Sequence, residues 1–108
     1  MKENAENPAG LDRLVHEPAR LIILTALSEL ESADFLFLLR LAGLTKGNLS
    51  SHLDKLEAAG LVEVEKRFVG KKTNTLIRIT GSGRAAVEEH WRRLDDLRHR
   101  SLQGNPRP

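Results

Sequence analysis

Two helix patterns in this chain of 108 residues are separated by only two residues, Leu44 and Thr45. The first, "FLFLLRLA", follows Asp34, a favourable N-cap, and ends at Gly43, which suits a left-handed C-cap. The second runs over residues 46–59, with Thr45 as its N-cap and a glycine directly after it. Helices joined by so short a turn usually cross steeply rather than pack antiparallel. The sequence therefore predicts a helix-turn-helix.

The rest of the chain supplies further helices and a pair of strands. Residues 18–30 place leucines on one broad stripe and carry a proline in the first turn, and a shorter helical piece precedes them at residues 11–15. The alternating stretch "VEVEKRFVGKKTNTLIRIT" predicts two strands joined by a protruding loop at residues 69–75, too long for a tight two-residue hairpin. Thr80 can cap a final helix over residues 81–102. The expected fold is mainly α with a small β-hairpin, an α+β chain.

The length and the chain ends indicate one domain. Residues 10–102 suffice for a single modest core, and the polar, proline-containing ends at residues 1–9 and 103–108 are typical of flexible tails. The polar start "MKENAENPAG" is unlike a secretory signal, and the apolar run "LIIL" is far too short to cross a membrane. We therefore expect a soluble cytoplasmic protein with no membrane partner.

The composition excludes several kinds of chemistry. The chain has no cysteine, so it can form neither a disulfide nor a thiolate metal site. The "GSG" at residues 81–83 lacks the lysine of a phosphate-binding loop, and no catalytic grouping of carboxylates or of Ser, His and Asp is evident. We expect no enzyme activity, no cofactor and no resident metal. Because the net charge is only +2, an anionic partner would have to be met by local placement of cations.

The helix over residues 46–59 buries three leucines on one side and presents small, polar or cationic side chains on the other. Asn48 can bind adenine through two hydrogen bonds, the lysines can reach phosphate or guanine, and the serines can bind either. The two acids of this helix fall at its flank and in its last turn. The alternative is an ordinary solvated amphipathic helix. The candidate DNA-contacting residues of this helix are Lys46, Gly47, Asn48, Ser50, Ser51 and Lys55.

The loop between the two strands adds a second group of cations and hydrogen-bonding side chains. Directly after a helix-turn-helix, such a loop is typical of a wing that contacts the minor groove or its phosphates. The strand residues Arg67 and Arg78 can either reach phosphates or pair with the neighbouring glutamates. An ordinary solvated loop is again the alternative. The candidate wing residues are Lys71, Lys72, Thr73 and Asn74.

From residue 14 to about residue 91 the chain resembles the small winged-helix transcriptional regulators of the MarR and ArsR families. The resemblance rests on "RLIILTAL", on "LTKGNLSSHLDKLEAAGLVEVEK" and on the later "F-GKK--T---IT". It implies a winged helix-turn-helix extended by N- and C-terminal dimerisation helices, and it adds Thr45 and His52 to the recognition positions. Members of these families are typically homodimeric repressors. The lack of cysteine separates this chain from the metal-sensing ArsR proteins.

The final helix carries an apolar seam that is longer than one small domain would cover. Mixed charges border this seam, as they do at many helix–helix contacts. The N-terminal helical piece can pack against it from a second subunit. We therefore expect a homodimer, with an interface formed by Leu11, Leu14, Val87, Trp91, Leu94, Leu97 and Leu102.

The histidines allow more than one interpretation. His52 lies at the edge of the apolar face of its helix, where packing or a local hydrogen bond is an alternative to a DNA contact. His16 is expected to act as a local cap for the helix that begins at Pro18. Asp95 and His99 are one helical turn apart, so they can form a solvated ion pair or, with ligands from a second subunit, hold zinc.

These features predict a homodimeric, sequence-specific transcriptional regulator, acting as a repressor on pseudo-palindromic double-stranded DNA in a prokaryotic cytoplasm. The helix at residues 46–59 would enter the major groove, and the wing at residues 69–75 would contact the adjacent backbone or minor groove. An unidentified small-molecule effector is a further candidate partner. The alternative function is a winged-helix module for protein–protein assembly that has no specific operator.

Overall fold

A computed structural model describes residues 12–103 of the chain, and from residue 18 onward the helices and strands follow the order that the sequence predicts, with one addition. The predicted α+β class is confirmed. A three-stranded antiparallel sheet in the order β1-β3-β2 is packed against the helices. The elements are α1 (Pro18–Leu30), β1 (Ser32–Asp34), α2 (Phe35–Ala42), α3 (Lys46–Ala58), β2 (Val62–Val69), β3 (Lys72–Ile79) and α4 (Gly81–Gln103).

Side-chain caps fix the start of each helix. The side chains of Asp34, Thr45 and Thr80 accept the N–H groups that open α2, α3 and α4, at 2.8, 3.2 and 2.9 Å, as the sequence predicts. For α1 the cap is Glu17, whose Oε1 accepts the N–H of Arg20 at 2.9 Å. The prediction that His16 caps this helix is wrong, because Nδ1 of its ring lies 3.2 Å from Nε2 of His90 instead.

The core lies where α1, α3 and the sheet meet. Leu49, Leu53 and Leu56 are all buried, so α3 is held through the leucine stripe that the sequence predicts. Leu38 is the buried residue of α2, and Gly43 ends that helix with φ of 66°, which leaves only two residues before α3 begins. This short, left-handed turn produces the predicted helix-turn-helix.

The strand β1 was not predicted. Residues 32–34 pair with residues 76–78 of β3, and the carbonyl of Glu31 accepts the N–H of Ile79 at 3.0 Å. Glu31 has φ of 71°, a positive value that is unusual for a residue other than glycine, and it redirects the chain from α1 into the strand. The segment "SAD" has no alternating pattern of its own, so its strand conformation comes from pairing with β3.

The hairpin differs from the predicted long loop. The strands β2 and β3 stay paired as far as Val69 and Lys72, so that only Gly70 and Lys71 form the turn. Gly70 has φ of 66°, which meets the need of two-residue hairpins for a positive φ. Cationic and polar residues at the end of the hairpin suggested a loop, but backbone pairing there requires no burial of side chains. The predicted wing at residues 69–75 is therefore the paired end of the β-hairpin together with its two-residue turn.

The remaining helix predictions hold in part. The final helix is confirmed and reaches Gln103. At the other end, residues 13–15 form a turn rather than a helix, closed by the N–H of His16 donating to the carbonyl of Asp12 at 2.7 Å. Residue 11, the remainder of the predicted N-terminal helix, lies outside the described residues, as do both predicted tails apart from Gln103. None of the helices within residues 12–103 is long and apolar enough to cross a membrane.

Candidate nucleic-acid interface

The helix α3 presents its predicted contact face to the outside. Because its three leucines point into the core, its polar residues are left exposed at the surface. The N-terminal end of α3 is also open, since its side-chain cap uses only one of the free N–H groups of the first turn. The exposed candidates on and beside α3 are Thr45, Lys46, Gly47, Asn48, Ser50, Ser51 and Lys55.

A groove of about 510 Å³ separates α3 from the β-hairpin. Lys46 and Ser50 line it from the helix, and Thr73 and Asn74 line it from β3. The structure therefore brings together candidates that lie more than twenty residues apart in the sequence. The apolar residues that line the groove are Phe35, Leu36, Leu53 and Val64.

The other candidates lie away from this groove or at the end of the hairpin. Lys71 occupies the turn and Lys72 the first position of β3, and both are exposed. Lys66 and Thr75 face each other across β2 and β3, and they also line the groove. Neither residue was singled out from the sequence. Lys66 could have been, because it continues the alternating pattern that begins with Val62.

Two acids also line the groove. Asp54 and Glu57 are exposed on the side of α3 that faces the hairpin, following Lys46 and Ser50 at helical spacing. Asp54 was predicted on the flank of this helix. The structure shows that this flank is the side of α3 next to the hairpin. The outermost face of α3 lacks acids, as predicted, but the wall of the groove does not.

His52 is held by α1. Its Nδ1 lies 3.1 Å from Nη1 of Arg20 and 3.8 Å from Oε1 of Glu17. Arg20 is itself fixed, because its Nε donates to the carbonyl of Leu14 at 2.6 Å. His52 therefore makes a hydrogen bond within the chain, but its partner lies 32 residues away on another helix and is not a local cap. Arg20 carried no pattern in the sequence that pointed to this role.

The two strand arginines differ in what the structure shows of them. Arg78 lies 4.0 and 3.8 Å from carboxylate oxygens of Glu63 and Glu65, so the ion-pair alternative applies to it. All three side chains are about half exposed or more, and such pairs stabilise a fold only slightly. Arg67 is exposed opposite Asn74 in the hairpin ladder.

The predicted dimer interface is only partly at the surface. Val87 is buried in the chain's own core, so its assignment to a subunit interface is wrong. Trp91 is 47% exposed, with its Nε1 donating to Oγ1 of Thr25 at 3.2 Å, and Leu102 is 72% exposed. Leu94 and Leu97 are half-buried, and Leu14 packs partly against the core. Leu11 lies outside the described residues.

Near the end of α4, Asp95 and His99 lie within the distance of an ion pair. Nδ1 of His99 lies 4.0 Å from Oδ2 of Asp95, and Arg98 donates to the other oxygen of that carboxylate at 2.9 Å. Within residues 12–103 no three His, Asp or Glu side chains are grouped closely enough to hold a metal ion.

Comparison with known proteins connects this geometry to a family. Residues 19–97 match the sequence profile described as a winged helix DNA-binding domain. MJ0432, an uncharacterized protein of Methanocaldococcus jannaschii, is 37% identical over 78 residues, which span 72% of this chain and 85% of that protein.

Solved structures share the fold. A transcriptional regulator homologue from Pyrococcus horikoshii superposes with a TM-score of 0.76 at 27% identity, over 89% of this chain and 94% of that one. A mutant MarR from E. coli, solved in complex with operator DNA, superposes with a TM-score of 0.62 over 89% of this chain and 74% of that one. Its identity is 22%, so this second likeness concerns the fold alone.

Proposed function

This chain belongs to the winged helix DNA-binding domain family, and we propose on this basis that it is a homodimeric repressor of transcription that binds a specific double-stranded operator. It is a winged-helix transcriptional regulator by its family, with the fold of MarR, and this family implies DNA binding. The observation that carries the finer proposal is the shared groove, where Lys46 and Ser50 of α3 oppose Thr73 and Asn74 of the hairpin.

The helix α3 is proposed to enter the major groove with its N-terminal half. The exposed Asn48 and Ser51 then face base edges, where an Asn side chain can pair with adenine through two hydrogen bonds. Free N–H groups in the first turn of α3 favour a phosphate at the same place. The turn is open to solvent at Gly47, because no atom of the protein lies within 4 Å of the position that a Cβ would occupy there.

The hairpin is proposed to contact the phosphate backbone beside the helix. Lys71 and Lys72 are exposed at its end, and a protein cation near a phosphate displaces a condensed counterion from the DNA. These contacts position the protein without reading sequence.

The acids of the groove limit where the backbone can pass. Asp54 and Glu57 would repel a phosphate, so the backbone contacts are proposed to concentrate on the N-terminal turns of α3, near Lys46. A carboxylate facing the major groove can instead accept a hydrogen bond from cytosine N4. In both cases the two acids favour binding at one position on the DNA over binding to any sequence.

The dimer is proposed to form along α4. This helix has 23 residues, roughly 35 Å at the usual rise, and its C-terminal part is mostly exposed. Trp91, Leu94, Leu97 and Leu102 supply its apolar surface. A two-fold axis through this contact would place the two α3 helices at half-sites about 34 Å apart. Binding is proposed to be stoichiometric, without catalysis, and to take place in the cytoplasm.

Selection of bound duplexes from a random DNA pool at physiological salt tests the proposal. Enrichment of an inverted repeat with half-sites one helical turn apart would support it, and protection of that repeat from cleavage would map the contacts. A pool that stays unenriched, while the folded protein captures a protein partner, would favour the assembly module instead.

A further inference from the structure

A buried histidine of α4 contacts a second histidine that lies just before α1. His90 of α4 is 1% exposed, and its Nε2 lies 3.2 Å from Nδ1 of the exposed His16. The centres of the two rings are 5.0 Å apart. Within the described residues, the other nitrogen of His90, Nδ1, is buried without a hydrogen-bond partner. The contact joins residues 12–17, here called the N-terminal segment, to α4.

The unpartnered nitrogen indicates where the proton lies. A hydrogen bond between two imidazole nitrogens requires one N–H and one free lone pair. If Nε2 of His90 accepted, the proton of that ring would lie on Nδ1, and a buried N–H without a partner is costly. The favoured arrangement is therefore a neutral His90 whose Nε2–H donates to Nδ1 of His16.

Adding a proton to either ring disturbs this arrangement. A proton added to His90 puts an N–H at its unpartnered Nδ1. A proton added to His16 removes the acceptor that the hydrogen bond needs. If both rings are charged, two cations repel each other at 5.0 Å between ring centres. The observed contact thus belongs to the neutral pair.

We propose that the contact between His16 and His90 is a proton-sensitive latch, which holds the N-terminal segment on α4 while both rings are neutral and releases it when they take up protons. Histidine suits such a device because its ordinary pKa lies close to neutral pH.

The groups around the pair shift the pKa of His90 in both directions. Burial lowers the pKa of His90 most, the neighbouring His16 lowers it further, Asp12 of the N-terminal segment raises it, and Arg93 on α4 lowers it. Further titratable groups on these elements are Arg13 in the N-terminal segment, Glu17 and Arg20 at the start of α1, and His52 on α3.

The latch is connected to α3 through two hydrogen bonds. The carbonyl of Leu14, in the N-terminal segment, accepts from Nε of Arg20 at 2.6 Å. Nη1 of the same arginine lies 3.1 Å from Nδ1 of His52 on α3. Release of the segment removes one of the two contacts that orient Arg20. The effect on DNA binding rests on the proposed function, whereas the latch itself does not.

The single tryptophan of the chain provides a direct probe. The rings of Trp91 and His90 lie 6.2 Å apart between centres, in an edge-on arrangement, and a charged imidazole quenches indole fluorescence. Emission from the intact protein should therefore fall on acidification, with a midpoint below about 6.5, the ordinary histidine value. His90→Gln should lose this transition, and His99→Gln, two turns away at an exposed position, should keep it.

A second variant protects the test against a folding defect in His90→Gln. His16→Gln changes an exposed residue and keeps an acceptor for Nε2–H, but it removes the neighbouring positive charge, so the midpoint should move to higher pH. An unmoved midpoint in His16→Gln would overturn the latch. So would emission that stays constant between about pH 8 and about pH 5.

Affinity for a selected duplex, measured over the same pH range, tests the connection to α3. The dissociation constant of the wild type should rise on acidification, by at most about tenfold for each unit by which the closed latch lowers the pKa of His90. His99→Gln should behave like the wild type, and His90→Gln should lose the rise. A normal fluorescence transition with the same pH dependence of affinity in His90→Gln and wild type would overturn the connection. A protein that binds no duplex at any pH would instead count against the proposed function and leave the fluorescence result standing.

Discussion

The α-carbon of Gly83 lies against the backbone carbonyl of Leu61. A Cβ built on Gly83 would overlap that carbonyl and would also touch the side chain of Ile79. The carbonyl is not free to move away, because it accepts the N–H of Thr80 at 3.1 Å. The absence of a side chain at residue 83 thus lets α4 begin directly beside the residue that precedes β2.

Gly83→Ala should destabilise the fold by about 1–3 kcal/mol, the usual cost of forcing an extra methyl group into a packed site. Gly81→Ala is the matched control, since a Cβ there meets no atom within 4 Å and this residue lies in the same turn. Urea unfolding of both variants checks the prediction. Equal stability of the two would show that the start of α4 can shift without cost.

Asn48→Ala should weaken binding to the operator by about 1–3 kcal/mol and reduce discrimination against a scrambled duplex, because the proposed contact is to a base edge. Lys46→Ala is the comparison, since removing a cation that binds phosphate weakens binding to both duplexes alike. Titration of labelled duplexes by fluorescence anisotropy separates the two effects. Unchanged discrimination in Asn48→Ala would remove this residue from the base contacts.

Replacing both Lys71 and Lys72 with alanine should reduce the slope of log affinity against log salt by at most about 2, because each lysine that binds a phosphate contributes about one to that slope. The control is replacement of both by arginine, which keeps the charge and should keep the slope. Both residues are exposed at the end of the hairpin, so neither change should alter the unfolding midpoint. An unaltered slope in the alanine variant would show that the hairpin does not contact DNA.

The features that the sequence predicted well are local ones. Asp34, Thr45 and Thr80 act as caps because a cap depends on its own side chain and the next three residues. The leucine stripe of α3 likewise follows from helical spacing alone. Together these features determined the helix-turn-helix and its exposed contact face.

The features that the sequence did not reveal depend on distant partners. Strand β1 exists because β3 pairs with it, and the place of Asp54 beside the wing depends on how the hairpin packs. Val87 was expected at a surface and is in the core, since the helical pattern shows an apolar face without showing what covers it. The partner of His90 lies 74 residues away, so no local pattern could identify it.

Trp91→Ala should shift the protein towards monomer and lower operator affinity without changing any residue proposed to contact DNA. Trp91 is about half exposed in the single chain, so a second subunit can cover most of the remainder. Truncating a packed tryptophan costs about 3–5 kcal/mol, and here part of that cost would be lost free energy of dimer association. Phe68→Ala, at a residue 79% exposed on the hairpin, is the control that should leave assembly unchanged. Sedimentation equilibrium at micromolar concentration measures both, and a monomeric wild type would contradict the dimer.

The stability of the fold should depend on pH through His90. Burial, followed by the nearby His16, lowers the pKa of His90 below its ordinary 6.5, so the unfolded chain takes up this proton at a higher pH than the folded chain does. Between those two pKa values the unfolded state binds more protons, and the free energy of unfolding therefore rises with pH. The full stability is present above about 6.5 and declines on acidification until the pH reaches the folded pKa, below which this contribution stays constant. Urea unfolding at a series of pH values should show this decline in the wild type and in His99→Gln, and His90→Gln should show a shallower one. A decline of equal steepness in all three proteins would assign the acid sensitivity to other groups.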